Sequence, residues 1–325
     1  MAVFTLVSES DASHLLSEYD LGELVSLTGI SAGIENSNFF LSTSSGEYVL
    51  TVFEVLKAEQ LPFYVELMHH LACRDVAVPM PQTRKDGGRI STLHGKPAII
   101  VTRLDGAWVR EPSLRHNEIA ASTMARYQLA AQDFVIRQPN LRGLDWWKST
   151  APKVKKFLNS SQLDLLESNL RIQEDLAISN QLKHLPFGPA HCDYFRDNVL
   201  FAGTAQNPAM GGVIDFYFAG CDHWLFDMAV AVNDWCVDLE TGDLDPERLA
   251  AWMRGYTSVR HFTDAERAVW PQMLRAAALR FWISRLYDYY HPRPAQSLKP
   301  HDPTQFERIL RLRSEGTIEP LLEKY

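Results

Sequence analysis

The stretch His191-Cys-Asp193-Tyr-Phe-Arg-Asp-Asn198 decides how this chain is read. It sets an aspartate two residues after a histidine and an asparagine five residues further on, the spacing H-x-D-x-x-x-x-N. An aspartate held in a loop can accept a hydroxyl proton while that hydroxyl attacks a phosphoryl group, and an asparagine carbonyl offers a neutral oxygen to Mg²⁺. Asp193 is therefore the candidate base and Asn198 a candidate metal ligand. Just downstream, Val199 to Phe201 and Gly212 to Ile214 read as short β runs separated by a turn-rich stretch containing Gly203, Asn207 and Pro208. Paired as an antiparallel hairpin, they bring Asn198 beside Asp215. One amide oxygen and one carboxylate, with phosphate oxygens and water, make a magnesium shell. The three-residue pattern alone falls by chance in roughly one chain in a hundred at ordinary residue usage, so the strand-borne Asp215, 22 residues after Asp193, carries much of the weight. His191 is read as holding the loop backbone. Asp227, at the start of the apolar helix Phe226 to Trp235, is read as a structural carboxylate that caps the helix or hydrogen-bonds the loop.

Upstream, the pattern is β-first. Leu24 to Thr28, Asn38 to Thr43 and Glu47 to Phe53 are rich in β-branched and aromatic residues, with Ser44, Ser45 and Gly46 as a turn. Helical spacing over Ala58 to Ala72 follows, then a turn at Gly87 and Gly88 and a strand from Lys96 to Leu104. Beyond Asp105 and Gly106 the periodicity is predominantly helical: Asn117 to Gln132, Ser161 to Ile178, Leu225 to Val237, Pro246 to Tyr256 and Asp264 to Tyr290. The expected fold class is α+β and bilobal. Residues 1–104 form a small antiparallel β lobe with a helix that binds nucleotide, and residues 105–325 a larger, mainly α-helical lobe for catalysis and substrate. A chain of 325 residues has room for both.

Composition narrows the classes. With 46% apolar and 22% charged residues the chain is a core-forming protein. A net charge of -8 argues against a nucleic-acid partner. Cys73, Cys192, Cys221 and Cys236 show neither zinc-knuckle nor disulfide-framework spacing. No leader pattern or membrane-length apolar run occurs, so a cytoplasmic location is expected, and no feature fixes an oligomeric state. The segment Gly29-Ile-Ser-Ala-Gly33 is a glycine-rich turn able to close over phosphates. It also spells G-x-S-x-G, but a nucleophile elbow at Ser31 needs a helix next, and a strand follows. Neither G-x-x-x-x-G-K-[ST] nor H-E-x-x-H is present.

Several segments resemble the homoserine kinases of the aminoglycoside-phosphotransferase and choline-kinase superfamily. They are Gly33-Ile-Glu-Asn-Ser-Asn-Phe-Phe40, Tyr48-Val-Leu-Thr-Val-Phe53, Gly95-Lys-Pro-Ala98, Asn140-Leu-Arg-Gly143, Phe195-Arg-Asp-Asn-Val-Leu-Phe201, Ile214-Asp-Phe-Tyr217, Val232-Asn-Asp-Trp-Cys236 and Arg280-Phe-Trp-Ile-Ser-Arg-Leu286. The resemblance implies a protein-kinase-like fold binding Mg²⁺ and ATP between its lobes. It also implies phosphorylation of the L-homoserine hydroxyl in threonine biosynthesis, with ATP and homoserine as small-molecule partners. By the same resemblance Gly33, Ser37 and Asn38 cover the phosphates, and Ile100 to Leu104 is the hinge at adenine, with Arg103 in it. Tyr217, Asn233 and Asp234 fall on the substrate side, and Arg142, Arg196 and Asp234 are the charges available to an amino-acid acceptor. Two departures stand out. Thr51 sits where most kinases of this fold carry a strand lysine, a threonine that homoserine kinases of this type share; Lys57, Lys85 or Arg103 would then supply a cation, and Glu66 loses its lysine partner. Cys192-Asp-Tyr194 replaces Ala-Asp-Leu, and Gln128 a histidine. The alternatives are a kinase of the same fold acting on choline or an aminoglycoside, and a non-catalytic nucleotide-binding regulator.

Overall fold

A computed structural model describes residues 5–30, 36–292 and 300–315 of the chain. Two compact units divide it, Met1–Asp105 and Gly106–Tyr325.

In the first unit, α1 (Glu9–Leu16) precedes β1 (Leu24–Gly29), β2 (Asn36–Thr43) and β3 (Gly46–Phe53), followed by α2 (Pro62–Ala72), β4 (Ser91–Leu93) and β5 (Lys96–Thr102). The strands form one antiparallel sheet in the order β1-β2-β3-β5-β4. Alternation along the strands sorts the side chains. Phe39 and Leu41 of β2, Leu50 and Val52 of β3 and Ala98 and Ile100 of β5 share a core with Ala12, Leu15 and Leu16 of α1. Asn38 and Thr51, directly paired across β2 and β3, fall on the other face. The three expected strands are present within two residues at each end. The expected helix from Ala58 is interrupted: Ala58–Gln60 is a separate 3-10 turn, and α2 opens with Pro62 at its first turn, where a missing N–H costs nothing. Sequence periodicity does not show α1, whose first turn is polar and whose start is a Ser8–Asp11 capping box, nor the three-residue β4.

The second unit runs α3 (Leu114–Ala130), α4 (Leu144–Val154), α5 (Ser160–Ile178), β6 (Phe187–Ala190), β7 (Val199–Gly203), β8 (Pro208–Val213), β9 (Gly220–His223), α6 (Trp224–Trp235), α7 (Pro246–Thr257), α8 (Asp264–Tyr290) and α9 (Thr304–Glu315). Two antiparallel pairs, β6 with β9 and β7 with β8, replace the single pair expected. The β6 run, Phe-Gly-Pro-Ala, carries two poor strand formers, which hides it. Pro152 inside α4 disguises that helix in the same way. α6 is buried on every side, so it is the central helix of this unit, and its three buried polar residues, Asp227, Asn233 and Asp234, need partners inside the protein. The four cysteines are free, and no helix of the described residues is long and apolar enough to cross a membrane.

Candidate active site

The loop after β6 is held from below by α6. Cys192 has a left-handed backbone, φ 61°, which a non-glycine residue adopts only when its surroundings impose it. Here the buried Asp227 carboxylate accepts from the N–H groups of His191, at 3.1 Å, and Cys192, at 2.8 Å. Of the two roles read for Asp227, binding the loop is the one the structure shows. Burial pushes its carboxyl up to about 7, and the two N–H donors pull the other way.

His191 holds the other side of the loop. Its buried ring places Nε2 at 2.9 Å from the carbonyl of Ile214, the residue before Asp215. Burial lowers its pKa to about 4, so the ring is neutral and Nε2–H donates. In the unfolded chain an imidazole titrates near 6.5, so on acidification the unfolded chain takes the proton first. The stability this group contributes is whole above pH 6.5 and is lost as pH falls through about 4, on the order of 3 kcal/mol. Asp227 acts oppositely: raised from 3.8 to about 7, its contribution is whole below 3.8 and lost as pH rises through 7. His191→Gln keeps an N–H toward Ile214 and removes only the first effect. Urea unfolding at pH 6.5 and pH 4.5 should show the variant losing about 2 kcal/mol less than the wild type on acidification.

Asp193 and Asn198 sit at the two ends of the loop. The Asn198 amide donates to the Asp193 carbonyl at 2.8 Å and to its Oδ2 at 3.3 Å, which fixes the amide with Oδ1 facing away from those bonds. Asn198 also accepts the Ile214 N–H at 2.9 Å, and β7 and β8 pair Val199 with Val213. The backbone of Asn198 is thus beside that of Asp215, through the hairpin expected from the sequence. Asp215 is exposed, with a left-handed backbone of φ 61°, ψ 59° between β8 and the single 3-10 turn Phe216–Phe218. Among the described residues no three His, Cys, Asp or Glu side chains cluster to hold a metal; magnesium that shares its shell with phosphate and water needs only one or two protein carboxylates.

The substrate-side residues need correction. Asn233 is fully buried, donating to Leu274 O at 2.8 Å and accepting from Arg313 Nε at 3.1 Å. It ties α6 to α8 and α9, and its full burial between them keeps it away from a ligand. Asp234 and Arg196, both read as charges for the acceptor, pair with each other: Asp234 Oδ2 accepts from Arg196 N at 2.9 Å and Nε at 3.1 Å, and its carbonyl accepts from Nη2. Arg196 belongs to the loop between β6 and β7, so this buried pair clamps that loop to α6. Asp234→Ala leaves the guanidinium buried without its counter-ion and should cost about 3–5 kcal/mol in urea unfolding. Tyr217 remains half-buried beside Asp215. The residues that depart from the resemblance pack inward: Tyr194 of the loop donates to Ala120 O at 3.0 Å, and Gln128 of α3 accepts from the Tyr256 hydroxyl at 2.6 Å.

In the first unit, Ser37 is buried on the α1 face, donating to Glu54 at 2.6 Å and accepting from Thr5 N at 2.9 Å. Burial pushes the Glu54 carboxyl up, but hydrogen bonds from Lys96, Ser37 and Thr5 outweigh it and hold it low. Ser37 therefore does not present its hydroxyl to a phosphate. Asn38, on the opposite face, accepts from Thr51 at 2.8 Å, so a hydrogen-bonded pair stands where a strand lysine would be. The Ile100 carbonyl accepts from Gln82 N at 2.8 Å. Arg103 lies 4.2 Å over Phe40 and 3.3 Å from Glu47, Lys85 donates to Ser17 O, and Lys57 is exposed. Glu66 pairs with Arg89 at 2.9 Å. Gly33 and Ser31 lie outside the described residues.

The sequence model of the "Phosphotransferase enzyme family" matches residues 26–267. The chain belongs to the phosphotransferase enzyme family. This phosphotransferase is 56% identical, over 321 residues, to a protein of Burkholderia vietnamiensis (strain G4 / LMG 22486) named homoserine kinase, covering 98% of this chain and 97% of that one. Among solved structures it is similar to an amicoumacin kinase in complex with AMP-PNP, with a TM-score of 0.68 at 14% identity over 98% of this chain and 94% of that one. It is also similar to a choline/ethanolamine kinase family protein from Mesorhizobium loti, with a TM-score of 0.62 at 16% identity and 97% coverage of both. The fold of this phosphotransferase is accordingly α+β and protein-kinase-like, as expected from the order of its elements.

Proposed function

We propose that this phosphotransferase is a homoserine kinase, transferring the γ-phosphoryl group of ATP to the side-chain hydroxyl of L-homoserine to give O-phospho-L-homoserine, an intermediate of threonine biosynthesis. The observation that carries this reading is the 56% identity to a homoserine kinase along 98% of the chain. The loop geometry supports the chemistry. Asp193 orients the acceptor hydroxyl and takes its proton as the oxygen attacks in line. Asn198 Oδ1 and the Asp215 carboxylate fit Mg²⁺ as a hard, mostly oxygen donor set with room for phosphate and water. When bound, the ion neutralises charge on the transferred phosphoryl group. The remaining polar residues keep this constellation in place: Asp227 and the Arg196–Asp234 pair fix the loop, and His191 fixes it to Ile214, the residue before Asp215. Transfer is direct, without a phosphoenzyme. Phosphorus NMR of enzyme with ATP, magnesium and L-homoserine should show one phosphomonoester accumulating in step with ADP. A phosphorylated protein in place of that ester would contradict direct transfer.

A further inference from the structure

Most buried arginines of the second unit have a polar partner: Arg196 has Asp234, Arg260 has Glu266 and Arg313 has Asn233. Arg280 is different. It is 4% exposed, yet among the described residues its guanidinium makes no ion pair and no hydrogen bond, and lies on ring faces, 3.8 Å from the centroid of Phe281 and 5.5 Å from that of Phe218. Arg142 also makes no ion pair among the described residues, and lies 4.5 Å over Trp146 and 5.7 Å from the same Phe218 ring. Two cations thus share one aromatic ring, three residues after Asp215. Burial pulls Arg280 down to about 10, the Asp193 carboxylate opposes this, and Arg142 adds to it. At that value Arg280 is still charged at neutral pH. Two like charges, one of them desolvated, repel each other until an anion arrives between them.

Arg142 is held in this place by a built turn. Asn140 donates to Asp222 at 2.8 Å, its N–H reaches Cys221 O at 3.3 Å, and its Oδ1 accepts the Arg142 N–H at 2.8 Å. Gly220 makes this docking possible, because a Cβ there would come within 2.6 Å of the Asn140 Cα. The Trp147 indole donates to the Arg142 carbonyl. Among the described residues neither arginine makes a hydrogen bond or ion pair to Asp193, Asn198 or Asp215, so both forks are left for another group. Guanidinium forks match a carboxylate, and aromatic stacking holds them flat for it.

We propose that Arg142 and Arg280 together hold the α-carboxylate of the amino-acid acceptor, so that its side-chain hydroxyl points to Asp193. This rests on the reading that the acceptor is homoserine, whose hydroxyl lies about 5 Å from its carboxylate carbon when extended. The pair sets acceptor choice: it selects alcohols that carry a carboxylate and leaves amino alcohols without one poorly bound.

Arg142 is half-exposed, so Arg142→Ala tests this without opening the core. Steady-state kinetics with L-homoserine should show KM rising about 10- to 100-fold with kcat within about threefold of wild type. With homoserinol, in which the carboxylate becomes a hydroxymethyl group, kcat/KM should stay within about twofold, as should the KM for ATP. Arg142→Lys should restore part of the homoserine KM. Arg280→Lys, checked by thermal melting for an intact fold, should keep the charge, lose the fork and raise the homoserine KM by about tenfold. Equal losses on homoserine and homoserinol, or a loss confined to the KM for ATP as for a nucleotide-phosphate site, overturn the clamp while the homoserine kinase reading stands. A wild-type enzyme that ignores homoserine overturns both.

Discussion

Asp193→Asn should turn over about 10³–10⁴-fold more slowly than the wild type while binding ATP with unchanged affinity. The substitution is nearly isosteric and leaves the loop's supports in place: the Asp227 carboxylate beneath His191 and Cys192, the Arg196–Asp234 pair, and the Asn198 amide on the residue 193 carbonyl. What it removes is the carboxylate proposed to take the hydroxyl proton, and an amide does not replace that basicity. Because nucleotide affinity depends on phosphate and adenine contacts, a fluorescent ATP analogue should titrate alike with both proteins. A variant that keeps turning over within tenfold of wild type refutes the assigned base. One that stops binding nucleotide gives Asp193 a different role.

Asp215→Asn should lower kcat by about 10³-fold at fixed magnesium and raise the half-saturating Mg²⁺ concentration at least about tenfold. On the proposed assignment Asp215 would supply the one full negative charge in the protein's share of the magnesium shell, whereas Asn198 would offer a neutral oxygen. The substitution is structurally mild, since asparagine tolerates the left-handed backbone, φ 61°, that Asp215 adopts. A thermal melt within about two degrees of wild type is therefore expected, and the activity loss is not a folding loss. A magnesium titration of kcat that overlays the wild-type curve contradicts the ligand assignment.

The placement of Asp193, Asn198 and Asp215 was more legible than that of the residues read for the substrate, for a physical reason. Asp193, Asn198 and Asp215 lie within 23 residues of sequence and are joined by one short hairpin, so local spacing was enough to place them. Asp227 was also visible as a carboxylate opening an apolar helix. Acceptor contacts come from separate elements that only tertiary packing unites. Asn233 and Asp234 read as ligands because polar residues in an apolar helix invite that reading, yet α6 is buried all round and each polar group serves an internal partner. Arg280 opens one of the segments that carry the resemblance but takes no role from it: it sits in the long helix α8, where a buried arginine and an exposed one read alike. Its neighbour Arg142 stands in a turn after α3, and only the shared Phe218 ring puts them together. In the first unit, strand alternation placed the β runs but not which face each side chain takes, so Ser37 and Asn38 read alike although they face opposite sides of the sheet.

The central claim is tested most directly by a coupled ADP-release assay with magnesium and ATP, comparing L-homoserine, L-threonine, L-serine, choline and kanamycin at equal concentration. Turnover with homoserine at least about 100-fold above every other alcohol is the predicted result; preference for another acceptor, or no ADP release with any of them, contradicts it.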